Sequence, residues 1–208
     1  MNELSFMHSS MPPIAGAQPT GLRRRILDAA LELFAERTYA ATTVPDIAAR
    51  ADVAVGSIYR HFPNKEALGS AVFAQAKAQF AEEVLTEEVR AAAPLQALRL
   101  VWRNQVAYAI RQPTAFSFLE HQLHIGYLDA DALAVIGQLN GTLVAIVEAI
   151  QRDGTVRRGD PGVLLSMAFG AFVGVTQHSQ LTGTPLSDYD WETIEHAVSD
   201  LLGCPWPP

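Results

Sequence analysis

Residues 43–62 read TVPDIAARADVAVGSIYRHF. This run permits little except two short helices with a tight turn between them. Thr43 suits the cap of the first helix, since its hydroxyl can accept a bond from an otherwise unpaired N–H of the opening turn. Asp46, three residues on, comes close to a capping box and stands at the end of the helix dipole that favours an anion. Pro45 falls in the first turn, where no intrahelical N–H bond is lost. Val44, Ile47, Ala48 and Ala51 recur at helical spacing and form one apolar face. Ala48 and Ala49 leave little bulk, so a second helix can come close. Asp52 stands where the chain must turn, and Asp tolerates left-handed backbone better than most residues. Val53 is the apolar plug of the turn. Residues 55–62 read as the second helix, with Ile58 and Phe62 inward and Pro63 ending it.

Val55, Gly56, Ser57, Tyr59, Arg60 and His61 are left facing outward on that second helix. They offer small residues for close approach, hydroxyls for phosphates and bases, and one permanent cation. A helix that reads a DNA major groove needs such a face, so the pattern points to a helix-turn-helix. The run resembles the TetR family of bacterial transcriptional regulators. Thr43, Ile47, Ala48, Ala51, Val53, Gly56, Tyr59, His61, Phe62, Lys65, Glu66 and Leu68 carry the resemblance. The upstream segment LRRRILDAALELFAERTYAATT is similar to that family's first helix and the loop after it. The chain departs from the family pattern at Asp52, where the turn usually has glycine, and at Ala54, where a Ser or Thr usually caps the reading helix.

Net charge is −7, which does not by itself suggest a nucleic-acid binder. Its distribution matters more. Residues 20–66 hold seven Lys or Arg against six acids, leaving eight of the 15 basic and sixteen of the 22 acidic residues elsewhere. The acidity thus lies outside the DNA-reading unit, whose basic groups cluster at its N-terminal edge and at helix ends. Arg23 and Arg24 lie on the outer face of the first helix. Lys65 opens the helix after Asn64, where the positive end of the helix dipole favours a phosphate. The expected DNA contacts are Arg23, Arg24, Thr43, Val55, Gly56, Ser57, Tyr59, Arg60, His61 and Lys65. So small a local charge implies few phosphate contacts per subunit, hence reliance on dimerisation.

Residues 1–19 hold three prolines, three Ser, one Gly and no periodicity, and read as a disordered tail. They lack a basic start followed by an apolar run, so no secretory signal is expected. The single Cys204 rules out an internal disulfide framework and fits a reducing cytosol, which makes the expected location cytoplasmic. The longest apolar stretch, residues 163–175, is too short to span a bilayer, and no membrane partner is expected.

Helical periodicity continues through the rest, and no strand-like alternation survives. Thr20 can cap a first helix with Leu22, Ile26, Ala29, Ala30 and Leu33 inward. Further helices are expected over about 65–92, 95–111, 113–125, 130–152, 161–181 and 188–202. The expected fold is all-α: about nine helices, three in a DNA-binding domain at 20–66 and six in a ligand-binding and dimerisation domain at 67–208.

The resemblance implies a homodimer formed through the last two long helices, a palindromic double-stranded DNA operator and a small-molecule effector. Residues suit both roles. The helix from Pro161 is apolar nearly all round and must be buried on several sides, with Gly170 and Gly174 letting another helix approach. Aromatic and polar residues interleave as a pocket for a largely apolar effector requires: Trp102, Tyr108, Phe116, Phe118, His121, His124, Phe169, Phe172, Gln177 and His178. The expected function is a ligand-responsive transcriptional regulator, a repressor released by its effector. It is not expected to be an enzyme or to need a cofactor. The alternative is an all-helical metal-dependent sensor or enzyme using Glu120, His121 and His124, since two His at spacing three beside a Glu could hold one ion. A di-iron bundle would need Glu-x-x-His on two helices, and none of Glu82, Glu83, Glu87, Glu88, Glu148, Glu192 and Glu195 has a His three positions on. No Gly-rich phosphate loop or G-x-S-x-G elbow occurs either.

Overall fold

The computed structural model describes residues 21–124 and 126–204, and among these there is no strand. The expected disordered tail at 1–19 and the expected Thr20 cap lie outside the described residues. The first helix opens on Gly21. Three helices form an N-terminal head: α1 (Leu22–Arg37), α2 (Val44–Arg50) and α3 (Val55–His61). Seven form the body: α4 (Lys65–Val84), α5 (Glu87–Ala91), α6 (Pro94–Arg111), α7 (Pro113–His121), α8 (Ala130–Arg152), α9 (Pro161–Thr182) and α10 (Asp188–Leu202).

The count is ten rather than nine because the helix expected over 65–92 is two. Leu85 leaves helical geometry, and the Thr86 hydroxyl accepts from the Val89 N–H to cap a new helix. Leu85 is buried at this bend, so the break is packed rather than frayed. The helix expected to reach residue 125 ends at His121, and Ile125 lies outside the described residues.

Ile26, Leu33, Phe34, Ile47 and Ile58 are buried at the centre of the head. Arg50 ties α2 to α1 with two bonds to Glu36 (3.0 and 2.9 Å) and a third to Glu32 (3.0 Å). The guanidinium holds the Glu36 carboxyl below its ordinary range, chiefly through that hydrogen bond. Head and body meet where α1 packs on α7. There the Phe34 and Phe118 rings stack at 5.9 Å and the Gln122 side-chain amide donates to the Phe34 carbonyl (2.6 Å).

The expectation that α9 is buried on several sides is not met within one chain. Only Leu164, Ala168 and Phe172 are buried on it. Val163, Met167 and Leu181 are each more than half exposed, and a Cβ added at Gly170 or Gly174 would meet nothing within 4 Å. The stretch 163–175 that sequence singles out for apolarity is part of this helix. Instead α8 is the one described helix long and apolar enough to cross a membrane by length and composition, and here it packs on α4, α6 and α9.

Candidate nucleic-acid interface and ligand cavity

The turn between α2 and α3 is built as the residues require. Thr43 and Asp46 form the capping box: the Asp46 N–H donates to the Thr43 hydroxyl (3.3 Å), and the Asp46 carboxylate accepts from the Thr43 N–H (3.0 Å) and hydroxyl (2.6 Å). Those bonds hold the Asp46 carboxyl below its ordinary range. Asp52 sits at φ 53°, the left-handed region. The Asp52 N–H donates to Ala49 O and the Val53 N–H to Ala48 O, which closes α2 with a Schellman turn. α3 then starts on Ala54, with no side-chain cap.

Ile58 alone is buried on α3. Val55, Gly56, Tyr59, Arg60 and His61 are exposed, Tyr59 by half, and Ser57 is half-buried. Arg60 is steadied by donating to the Ser57 hydroxyl (2.9 Å). The flanking cations are positioned differently from one another. The Arg23 guanidinium lies 5.2 Å from the Phe62 ring centroid, and Arg24 is paired with Asp28 at 3.6 Å. Lys65 begins α4 directly behind α3, half-buried, with its ammonium 4.3 Å from the Tyr39 ring centroid. Thr43 faces the solvent with its hydroxyl engaged in the capping box. The structure therefore brings the expected DNA-contacting residues together on the three-helix head and the first residue of α4.

In the body a cavity of about 500 Å³ lies among α4, α6, α7, α8, α9 and α10. Most of its wall is apolar, including Phe73 and Phe80 of α4, Leu98 and Val101 of α6, and Leu139 and Leu143 of α8. Of the expected pocket residues, Trp102, His124 and Phe169 line it. The others sit elsewhere. Tyr108, Phe116, Phe118 and Phe172 are buried in the packed core. His121 bonds to Gln180 (2.7 Å) and Thr176 (3.1 Å), while Gln177 and His178 are exposed on α9. Beyond His124, the cavity's polar lining was missed in sequence, namely Lys77, Gln105, Asn140 and Ser166, together with Glu120, which sequence singled out only as a metal ligand.

Glu120, His121 and His124 do not converge. Glu120 pairs with Lys77 at 2.6 Å, His121 turns to α9, and His124 is held from two sides. Among the described residues no group of three His, Cys, Asp or Glu side chains could hold a metal ion. The His124 Nε2 is 2.7 Å from the Phe118 carbonyl, so it donates there, and Nδ1 is left to accept from the Tyr127 hydroxyl. That is the neutral imidazole. Burial lowers its pKa from the ordinary 6.5, outweighing the opposing backbone bonds.

A pH dependence follows. The unfolded chain binds a proton at His124 more readily than the folded one, so this residue's contribution is intact above pH 6.5 and falls as pH drops below it. Urea titrations between pH 7.5 and 5 are expected to show declining stability, with a shallower decline in His124→Gln. An identical slope in both proteins would contradict the assignment.

A run of ring contacts joins the cavity to the head. His124 bonds Tyr127, whose ring stacks on Tyr39 at 4.1 Å and 16°, and Tyr39 in turn lies under the Lys65 ammonium. Gly69 makes room for this stack. A Cβ there would come within 2.7 Å of the Tyr39 ring and 3.1 Å of Tyr127.

Two family models match the chain in succession. Residues 26–72 match the family model described as bacterial regulatory proteins, tetR family. Residues 73–199 match the tetracyclin repressor-like, C-terminal domain. The chain is 30% identical over 173 residues to the "Probable acrEF/envCD operon repressor" of Escherichia coli K12, covering 78% of this chain and 77% of that one. It is 51% identical over 49 residues, 24% of each chain, to the HTH-type transcriptional repressor KstR2 of Rhodococcus jostii. Among solved structures, the transcriptional regulator FadR of Bacillus subtilis in complex with stearoyl-CoA superposes with TM-score 0.69 at 25% identity, covering 86% of this chain and 96% of that one. A TetR family regulator of Marinobacter aquaeolei superposes with TM-score 0.74 at 21% identity, covering 87% and 95%.

Proposed function

The chain belongs to the TetR family of bacterial regulatory proteins, and we propose that it is a repressor that binds a palindromic operator as a homodimer and releases it when an apolar small molecule fills the cavity. As a family member it is a DNA-binding transcriptional regulator and not an enzyme. In this reading residues 20–66 bind DNA, residues 67–208 bind ligand and dimerise, and the protein works in the cytoplasm.

The observation that carries the proposal is α3, a seven-residue helix with one side chain buried and a face of Val55, Gly56, Tyr59, Arg60 and His61 turned outward. One such helix contacts only a few base pairs, so useful specificity requires two half-sites related by symmetry. The uncovered stripe of Val163, Met167, Gly170 and Gly174 on α9 supports a second copy as the partner. The proposal is tested by selecting bound duplexes from a random pool. Two inverted half-sites at fixed spacing are expected, and enrichment of a single unpaired site would refute the dimer.

Release follows from a population shift. Ligand against Phe73 and His124 favours an arrangement in which Tyr127 and Tyr39 no longer hold Lys65 and the α1–α2 connection in the DNA-competent position. Because such coupling is reciprocal, DNA must alter the cavity as ligand alters DNA binding. N-phenyl-1-naphthylamine, an uncharged fluorophore, can report on the cavity. Saturating the protein with its selected duplex is expected to weaken binding of this probe by about fivefold or more. In Tyr127→Ala, and to a smaller extent Tyr127→Phe, that difference should shrink below about twofold. Full coupling in Tyr127→Ala would rule out this route.

A further inference from the structure

Resting on the reading of the cavity as the effector site, we propose that its ligand is uncharged: an apolar body with a single hydrogen-bonding head such as a hydroxyl or carbonyl. The cavity wall contains one basic and one acidic side chain besides its histidine, and they pair with each other. Lys77 and Glu120 meet at 2.6 Å, each with only 11% of its side chain exposed. The Lys77 ammonium is further held 4.8 Å from the Phe80 ring centroid. The third ionisable group on the wall, His124, has both ring nitrogens committed, to Phe118 and Tyr127.

A carboxylate or phosphate entering this space would find its one cation already taken and Glu120 beside it. An ammonium would find Lys77 beside it. Either must open a nearly buried ion pair and strand one of its members, a strongly unfavourable exchange in a site with so few other polar groups. A neutral ligand leaves the pair intact. It also finds partners, because Gln105, Asn140 and Ser166 line the cavity and have no side-chain hydrogen bond among the described residues. An amide and a hydroxyl both donate and accept, so they suit a neutral head of either polarity. The arrangement is that of an apolar pocket with a few placed polar groups.

Three probes with one tail separate the possibilities: 1-decanol, decanoate and decylammonium, each displacing N-phenyl-1-naphthylamine from the full-length protein at neutral pH. Decanol is expected to bind at least about tenfold more tightly than either ion. Glu120→Gln keeps the shape of the wall and frees Lys77, so decanoate should gain about tenfold or more and overtake the alcohol. Lys77→Met should do the same for decylammonium. If that variant does not fold, the isosteric Glu120→Gln decides alone. Tighter binding of decanoate or of stearoyl-CoA than of decanol by the unaltered protein overturns the proposal, as does an unchanged order of affinities in Glu120→Gln. Failure of all three probes to displace the fluorophore would instead remove the effector-site reading beneath it.

Discussion

Tyr59→Ala weakens binding to the selected operator by about 30-fold or more. Half of this ring is exposed, on a helix whose only buried residue is Ile58, so on the proposed function its removal takes away a DNA contact without disturbing the head. A side chain reaching base edges contributes about 1–3 kcal/mol, and a symmetric dimer loses that amount twice. Stability of the free protein should stay within about 0.5 kcal/mol, because no buried contact is lost. Lys65→Ala behaves differently. It lowers affinity for all sequences alike and reduces the slope of log K against log salt by about one per subunit, as loss of a phosphate contact does. Electrophoretic or fluorescence titrations over a range of salt concentrations distinguish the two effects. If both variants bind like the parent protein, the contact surface has been assigned to the wrong face.

The second large effect concerns stability. Phe118→Ala is expected to cost about 3–5 kcal/mol, the usual result of deleting a fully buried aromatic ring. For a domain of this size that lowers the melting temperature by roughly 10 °C, measured calorimetrically at fixed protein concentration. Phe118 is wholly buried and joins several rings at once: Phe34 of α1 at 5.9 Å, Phe73 of α4 at 6.4 Å and His124 at 4.8 Å. Phe118→Leu refills much of the space and should cost less than about half as much. A loss below 1 kcal/mol in the Ala variant would mean that this ring does not join head to body.

Much of the head was legible in sequence because its determinants are local. The capping box at Thr43, the turn at Asp52 and the stop at Pro63 each act over a few residues, and the structure has all three. The left-handed Thr38, at φ 73°, had no such signal, since Thr is an unusual residue for that backbone. The bend at Leu85 was missed because residues 65–92 keep helical periodicity through it, and the Thr86 cap is the only local cue. The cavity was harder to read. Sequence favoured aromatics and histidines, but helix packing decided which of them faced the empty space. A cue was nonetheless present: Gln105 continues the inward series Leu98, Val101, Trp102 on α6, while Asn140 and Ser166, both exposed, interrupt apolar stripes on α8 and α9. The Lys77–Glu120 pair and the Tyr39–Tyr127 stack join residues 43 and 88 positions apart, and no local rule couples such partners.

With Ile58 as its one buried residue, α3 leaves five of its seven positions exposed and free to vary with almost no repacking of the head. On the proposed function, operator preference can therefore drift, or be retargeted by directed evolution, while ligand response is inherited unchanged from a body that those substitutions never touch.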